Sequence, residues 1–171
     1  MSFIPIVTVL GKSGAGKTTL LEKLIKELTS RGYKLATIKH HSHKGFDIDI
    51  PGKDSWRFAQ AGSQHVIVAS PDKIASYRLI DQELILDEIT AGVKDVDLIL
   101  VEGYKEANKP AIEVVRASNS QELVGTTKQR IAIVSDMQWD LGVPLFQLDD
   151  VNGIANFIEN QFLSDKTKHI Q

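Results

Sequence analysis

At 171 residues, 42% hydrophobic and 25% charged, the chain has the size and composition of one globular domain with a real core, and of neither a disordered nor a fibrous protein. Its net charge of -2 argues against nucleic acid as the main partner, because binding a phosphate backbone needs a basic stripe. With no cysteine thiol chemistry is excluded, and no apolar run reaches the ~20 residues of a membrane span, so we expect a cytoplasmic protein with no membrane partner.

In chain order, Ile4 to Leu10 is a short β-branched run of the kind that forms a buried parallel strand. Thr18 to Arg31 carries Leu20, Leu21, Leu24, Ile25 and Leu28 at helical spacing and stops at Gly32. Lys34 to His40 reads as a second strand. The polar stretch HSHKGFDIDIPGK that follows has no helical period and reads as a functional or mobile loop. Asp54 is placed to cap a helix running through Ala61, in which Trp56 and Phe58 read as core residues. The runs on either side of Ser70, Pro71 and Asp72 form an antiparallel hairpin. Gln82 to Ala91 looks helical, and Asp97 to Val101, Ala111 to Val115 and Ile131 to Val134 are further strands. Val151 to Phe162 is a closing helix. The expected organisation is a single nucleotide-binding domain over residues 1–163 with a flexible tail at 164–171. Strands alternating with helices predict a three-layer α/β fold of the P-loop class, a mostly parallel sheet with an antiparallel hairpin, that binds ligands at the carboxyl ends of its strands.

Gly11-Lys12-Ser13-Gly14-Ala15-Gly16-Lys17-Thr18 matches G-x-x-x-x-G-K-[ST] in full, between a predicted strand and a predicted helix. In such a loop, glycines let backbone N–H groups face phosphate oxygens and the helix N-terminus adds its positive end. Lys17 would reach the β- and γ-phosphates and Thr18 would ligate Mg2+. Residues Gly11 to Thr18, with Thr19 next in line, are therefore the candidate nucleotide-binding residues. A local basic field supports the assignment: residues 1–46 hold Lys12, Lys17, Lys23, Lys26, Arg31, Lys34, Lys39 and Lys44 against Glu22 and Glu27. Lys12 has two readings, a lysine reaching a partner subunit's nucleotide or a solvated cation.

A magnesium site also needs a carboxylate from a neighbouring strand, and DLILVEG offers Asp97 and Glu102. Five residues of strand separate them by roughly 16 Å. The phosphate loop lies at the carboxyl end, so Glu102 takes the metal role and Asp97 that of a strand-start cap. Asp47 and Asp49 stand two apart and would share a face of an extended segment, either positioning metal and attacking water as catalytic residues or forming a solvated acidic loop. His40, His41 and His43 are either a metal cluster or a polar loop. No N/T-K-x-D motif fixes the base, although Asp136, just past a strand, is a candidate for base recognition or for a turn.

The segments GKSGAGKTTLLEKLI, TIKHHSHKGFDIDIPGKDSWRFAQAG and LILVEGYK, in that order, resemble the molybdopterin-guanine dinucleotide biosynthesis protein B (MobB) family over roughly residues 4 to 135. The first segment is generic to phosphate-binding loops; the second and third are far more specific. The resemblance implies a homodimer that binds and weakly hydrolyses GTP and assists the guanylyltransferase that attaches GMP to molybdopterin, with molybdopterin itself a further candidate partner. It carries the phosphate-loop role onto Gly11, Gly16, Lys17 and Thr18, the acidic-loop motif onto Asp47, Asp49, Pro51, Gly52 and Lys53, and the metal-side motif onto Glu102 and Gly103. Three rivals stand beside it, one of them a pure scaffold that binds nucleotide without turnover. A small-metabolite kinase would need an arginine-bearing lid, for which Arg116 and Arg130 are too isolated; a GTPase metallochaperone would use the His40 to His43 loop.

Overall fold

The apolar runs of the sequence become strands because their side chains alternate between two covered faces, and the backbone groups between them are satisfied only by neighbouring strands. The computed structural model describes residues 4–43 and 45–164, so of the expected tail only Ser164 lies within the described residues. Its elements are β1 (Ile6–Leu10), α1 (Lys17–Ser30), β2 (Leu35–Lys39), α2 (Asp54–Gln60), β3 (His65–Ala69), β4 (Ile74–Arg78), α3 (Leu86–Thr90), β5 (Leu98–Glu102), β6 (Ala111–Val115), β7 (Arg130–Ser135), β8 (Leu145–Phe146) and α4 (Val151–Ile158). A 3-10 turn covers Lys105–Ala107, and a π-helical turn, Glu159–Leu163, continues α4. Residues 41–85 form one compact unit and the remainder of the chain another.

The larger unit is built on a six-stranded sheet in the order β2-β5-β1-β6-β7-β8, parallel throughout. On one face Val7, Val9, Leu98, Leu100, Ile112, Val114, Ala132 and Val134 pack with Leu20, Leu21, Leu24 and Leu28 of α1 and with Ile154, Ala155 and Ile158 of α4. On the other, Ile6, Ile99 and Val101 are covered by Leu86 of α3 together with Val93, Val96 and Tyr104. These layers give the three-layer α/β class expected from the order of the elements. Helix α1 ends as its sequence requires: Gly32 takes φ +93°, and the Tyr33 and Gly32 N–H groups donate to the Leu28 and Thr29 carbonyls, closing a Schellman cap.

In the smaller unit β3 and β4 form the expected antiparallel hairpin. Two expectations fail there. Lys53, not Asp54, is the N-cap of α2. Pro51 and Gly52 (φ +88°) make a turn closed by the Lys53 N–H on the Ile50 carbonyl, so the chain enters the helix one residue earlier. Phe58 is exposed and Trp56 only half-buried, rather than core, because α2 is a seven-residue helix with no buried residue. The helix expected at 82–91 shrinks to α3, where only Leu86 is buried, and the two-residue edge strand β8 is too short to leave a periodic signal.

Candidate functional site

The loop between β1 and α1 takes backbone conformations that L side chains rarely adopt. Gly11, Gly14 and Gly16 have φ of +146°, +79° and +101°. Gly11 is needed for a second reason: a Cβ there would collide with the Val114 carbonyl of the neighbouring strand β6. The loop then runs straight into α1, whose Gly16 N-cap has no side-chain cap. Among the described residues the N–H groups of Gly14, Gly16, Lys17 and Thr18 donate to no protein acceptor. A cluster of free donors at a helix N-terminus is what an anion needs.

Lys17 folds back over the loop and donates from Nζ to the Gly11 and Lys12 carbonyls, both at 2.9 Å. Burial pushes its ammonium pKa below the ordinary lysine value; Glu102 opposes that shift and Lys39 adds to it. Thr18 donates from Oγ1 to Glu102 Oε2 at 2.8 Å, and Lys39 Nζ lies 3.7 Å from Glu102 Oε1. These contacts arise because β5 pairs directly with β1, Val9 opposite Glu102, which carries the end of β5 to the start of α1. Asp97 sits at the other end of β5, where its Oδ2 accepts from the Lys34 N–H at 2.8 Å.

On the other side of the loop lies a strap that follows β6. Asn119 donates from Nδ2 to the Ser13 carbonyl at 3.0 Å, Lys12 pairs with Glu122 at 2.5 Å on the exposed rim, and Arg116 Nη2 lies 3.3 Å from where a Gly16 Cβ would stand. Asp136, at the end of β7, accepts the Ala117 N–H at 2.8 Å and so ties the strap from behind. Arg130 is committed elsewhere: with Glu113 it forms an ion pair, Nε to Oε2 at 2.6 Å, in which Glu113 is fully buried. Glu113 also accepts the Val124 and Gly125 N–H groups. Arg130 is therefore a structural residue and supplies no lid. Sequence reading missed Asn119 and Glu122, and no local signal marks them, since the strap meets the loop only because β6 is the neighbour of β1.

The acidic pair diverges. Asp49 accepts from the Ile50 N–H at 2.8 Å, from Ser55 at 3.1 Å and from the Tyr77 hydroxyl at 2.9 Å, joining the turn before α2 to β4 within the smaller unit. Asp47 is exposed. In the histidine-rich segment, His40 stacks on Tyr104, ring centres 4.3 Å apart, and His41 Nδ1 contacts the His43 carbonyl at 2.9 Å. Among the described residues no three His, Asp or Glu side chains are gathered as metal ligands would be.

The family model described as molybdopterin guanine dinucleotide synthesis protein B matches residues 6–136. A molybdopterin-guanine dinucleotide biosynthesis adapter protein of Escherichia coli is 39% identical over 163 residues, covering 92% of this chain and 93% of that protein. The Haemophilus influenzae protein of the same description is 36% identical over 159 residues, covering 92% and 89%. Among solved structures, Bacillus subtilis MobB superposes with a TM-score of 0.77 at 27% identity, over 93% of this chain and 98% of that one.

Proposed function

The chain belongs to the molybdopterin guanine dinucleotide synthesis protein B family, and on that premise we propose that it is a cytoplasmic GTP-binding adapter for molybdopterin guanine dinucleotide biosynthesis. In this reading it hydrolyses GTP slowly and serves the guanylyltransferase that joins GMP to molybdopterin. The observation that supports it is the meeting of Lys17, Thr18 and Glu102 around a loop in which the N–H groups of Gly14, Gly16, Lys17 and Thr18 have no acceptor among the described residues.

Magnesium fits this donor set, since a hydroxyl and a carboxylate oxygen 2.8 Å apart are hard ligands of the kind that ion takes beside phosphate oxygens. Thr18 and Glu102 would hold it, and when bound it supplies charge neutralisation to the phosphate chain. The chain's own residues do the rest. The loop N–H groups and Lys17 bind the β- and γ-phosphates, and Thr19 continues that surface into α1. Asp136 has one carboxylate oxygen beyond its bond to Ala117 for the N–H edge of a guanine, which offers donors where adenine offers an acceptor. A homodimer is part of the proposal: Ile67 and Ile74, on one face of the hairpin, are exposed, an apolar surface of the kind a second copy covers.

The test is reconstitution of guanylylation from purified guanylyltransferase, molybdopterin and limiting GTP. Adding this chain should raise the yield of dinucleotide, and adding a Lys17→Ala chain should not. Equal yields with and without the wild-type chain would remove the adapter role.

A further inference from the structure

Among the described residues, arginine side chains that leave solvent have partners, with one exception. Arg130 is matched by Glu113 and by the Gly125 carbonyl, and Arg31 by Glu27, Glu159 and Asn156. Arg116 is partly buried, its Nε is sealed from solvent with no hydrogen-bond partner, and no ion pair joins it to a carboxylate among the described residues. A guanidinium cannot shed its proton, so its charge stands without an anionic partner in the free protein. The rest of the fork, beyond the sealed Nε, is what an anionic ligand would pair.

The surroundings say which ligand. Nη2 lies against Gly16, the N-cap of α1, beside the unpaired N–H groups of Gly16, Lys17 and Thr18. The loop adds the free N–H donors and the Lys17 ammonium, while the carboxylate nearest them, Glu102, is already engaged by Thr18 and Lys39. The strap that carries Arg116 is fixed on several sides: Asn119 holds the Ser13 carbonyl, Asp136 holds the Ala117 N–H, and Arg116 and Ser120 form a backbone bridge. It is held in place without any help from the guanidinium. A fork of N–H donors presented in this way matches an anion with several oxygens.

We propose that Arg116 is a nucleotide-binding residue whose guanidinium contacts the phosphate chain held by the Gly11 to Thr18 loop, completing in cis a cation set that otherwise rests on Lys17. The inference rests on the nucleotide-binding reading of that loop and adds to it a residue outside the loop motif. It has a corollary: the half-buried Arg116 side chain makes no ion pair and leaves its Nε without a partner in the free protein, so removing the charge should cost binding and not stability.

The experiment pairs thermal unfolding with titration of Mg·GTP, on wild type and Arg116→Gln. Without nucleotide the variant should melt at the wild-type temperature or above it. With Mg·GTP its upward shift should be smaller, its affinity at least about tenfold weaker, and the decline of affinity with salt shallower than for wild type. A variant that is less stable than wild type without nucleotide, or fails to fold, has lost a structural residue and overturns the proposal. Wild-type affinity in the variant overturns it also, while leaving the loop's own role standing. A wild-type chain that binds no nucleotide overturns the parent reading and this one with it.

Discussion

Glu102 and Asp97 are two carboxylates on one five-residue strand and its approach, and their partners separate their roles. Glu102 accepts from Thr18 and faces Lys39; Asp97 accepts from the backbone of Lys34 where β2 begins. Glu102→Gln should therefore abolish the gain in GTP affinity that magnesium confers, because the neutral amide offers the ion no charge. Asp97→Asn should leave that gain intact and change only stability, by about 1 kcal/mol for one weakened hydrogen bond. Titration of each variant with and without magnesium checks the pair, and a magnesium effect lost only in Asp97→Asn would reverse the assignment. This distinction was legible before the structure, since strand direction alone places one carboxylate at the phosphate end. Arg116 was not. An arginine after a strand carries no local signal, and its meaning comes from β6 lying beside β1.

The acidic loop shows what an element adds to its residues. Spacing put Asp47 and Asp49 on one face, but the Pro51-Gly52 turn brings Ser55 back to Asp49, and Tyr77 reaches it from β4. Desolvation alone would raise the Asp49 pKa. The bonds from Ile50, Ser55 and Tyr77 together outweigh it and hold the carboxyl below its ordinary value of 3.8. A depressed folded-state pKa means that this contribution to stability is present above that ordinary value and is lost as pH falls through the folded one. Asp49→Asn should accordingly lower the melting temperature at neutral pH and narrow the gap between neutral and acidic melting temperatures. Asp47→Asn should do neither. Melting of Asp49→Asn like that of wild type at both pH values would remove this carboxylate from the stability of the smaller unit. The hairpin was readable from its turn residues. The shortness of α2 and the exposure of Phe58 were not, because a seven-residue helix gives too few turns to define a face.

At the scale of the molecule, the parallel sheet gathers the chemistry. Strands β1, β5, β6 and β7 stand side by side, so Thr18 meets Glu102, 84 residues further on, and Arg116 comes to the same end of the fold. The continuous apolar runs made that sheet legible; the order of its strands, and with it the strap, depends on long-range pairing that periodicity does not encode. The buried Glu113–Arg130 pair likewise depends on the pairing of β6 with β7. The central claim is that the Gly11 to Thr18 loop holds a nucleoside triphosphate, and the most direct test is calorimetric titration of Mg·GTP into wild-type and Lys17→Ala protein, with circular dichroism on both. The account predicts binding by the wild type and, in a variant folded like it, a loss of about 2 kcal/mol or more, roughly thirtyfold in affinity; a folded Lys17→Ala chain that binds Mg·GTP as tightly as wild type would contradict it.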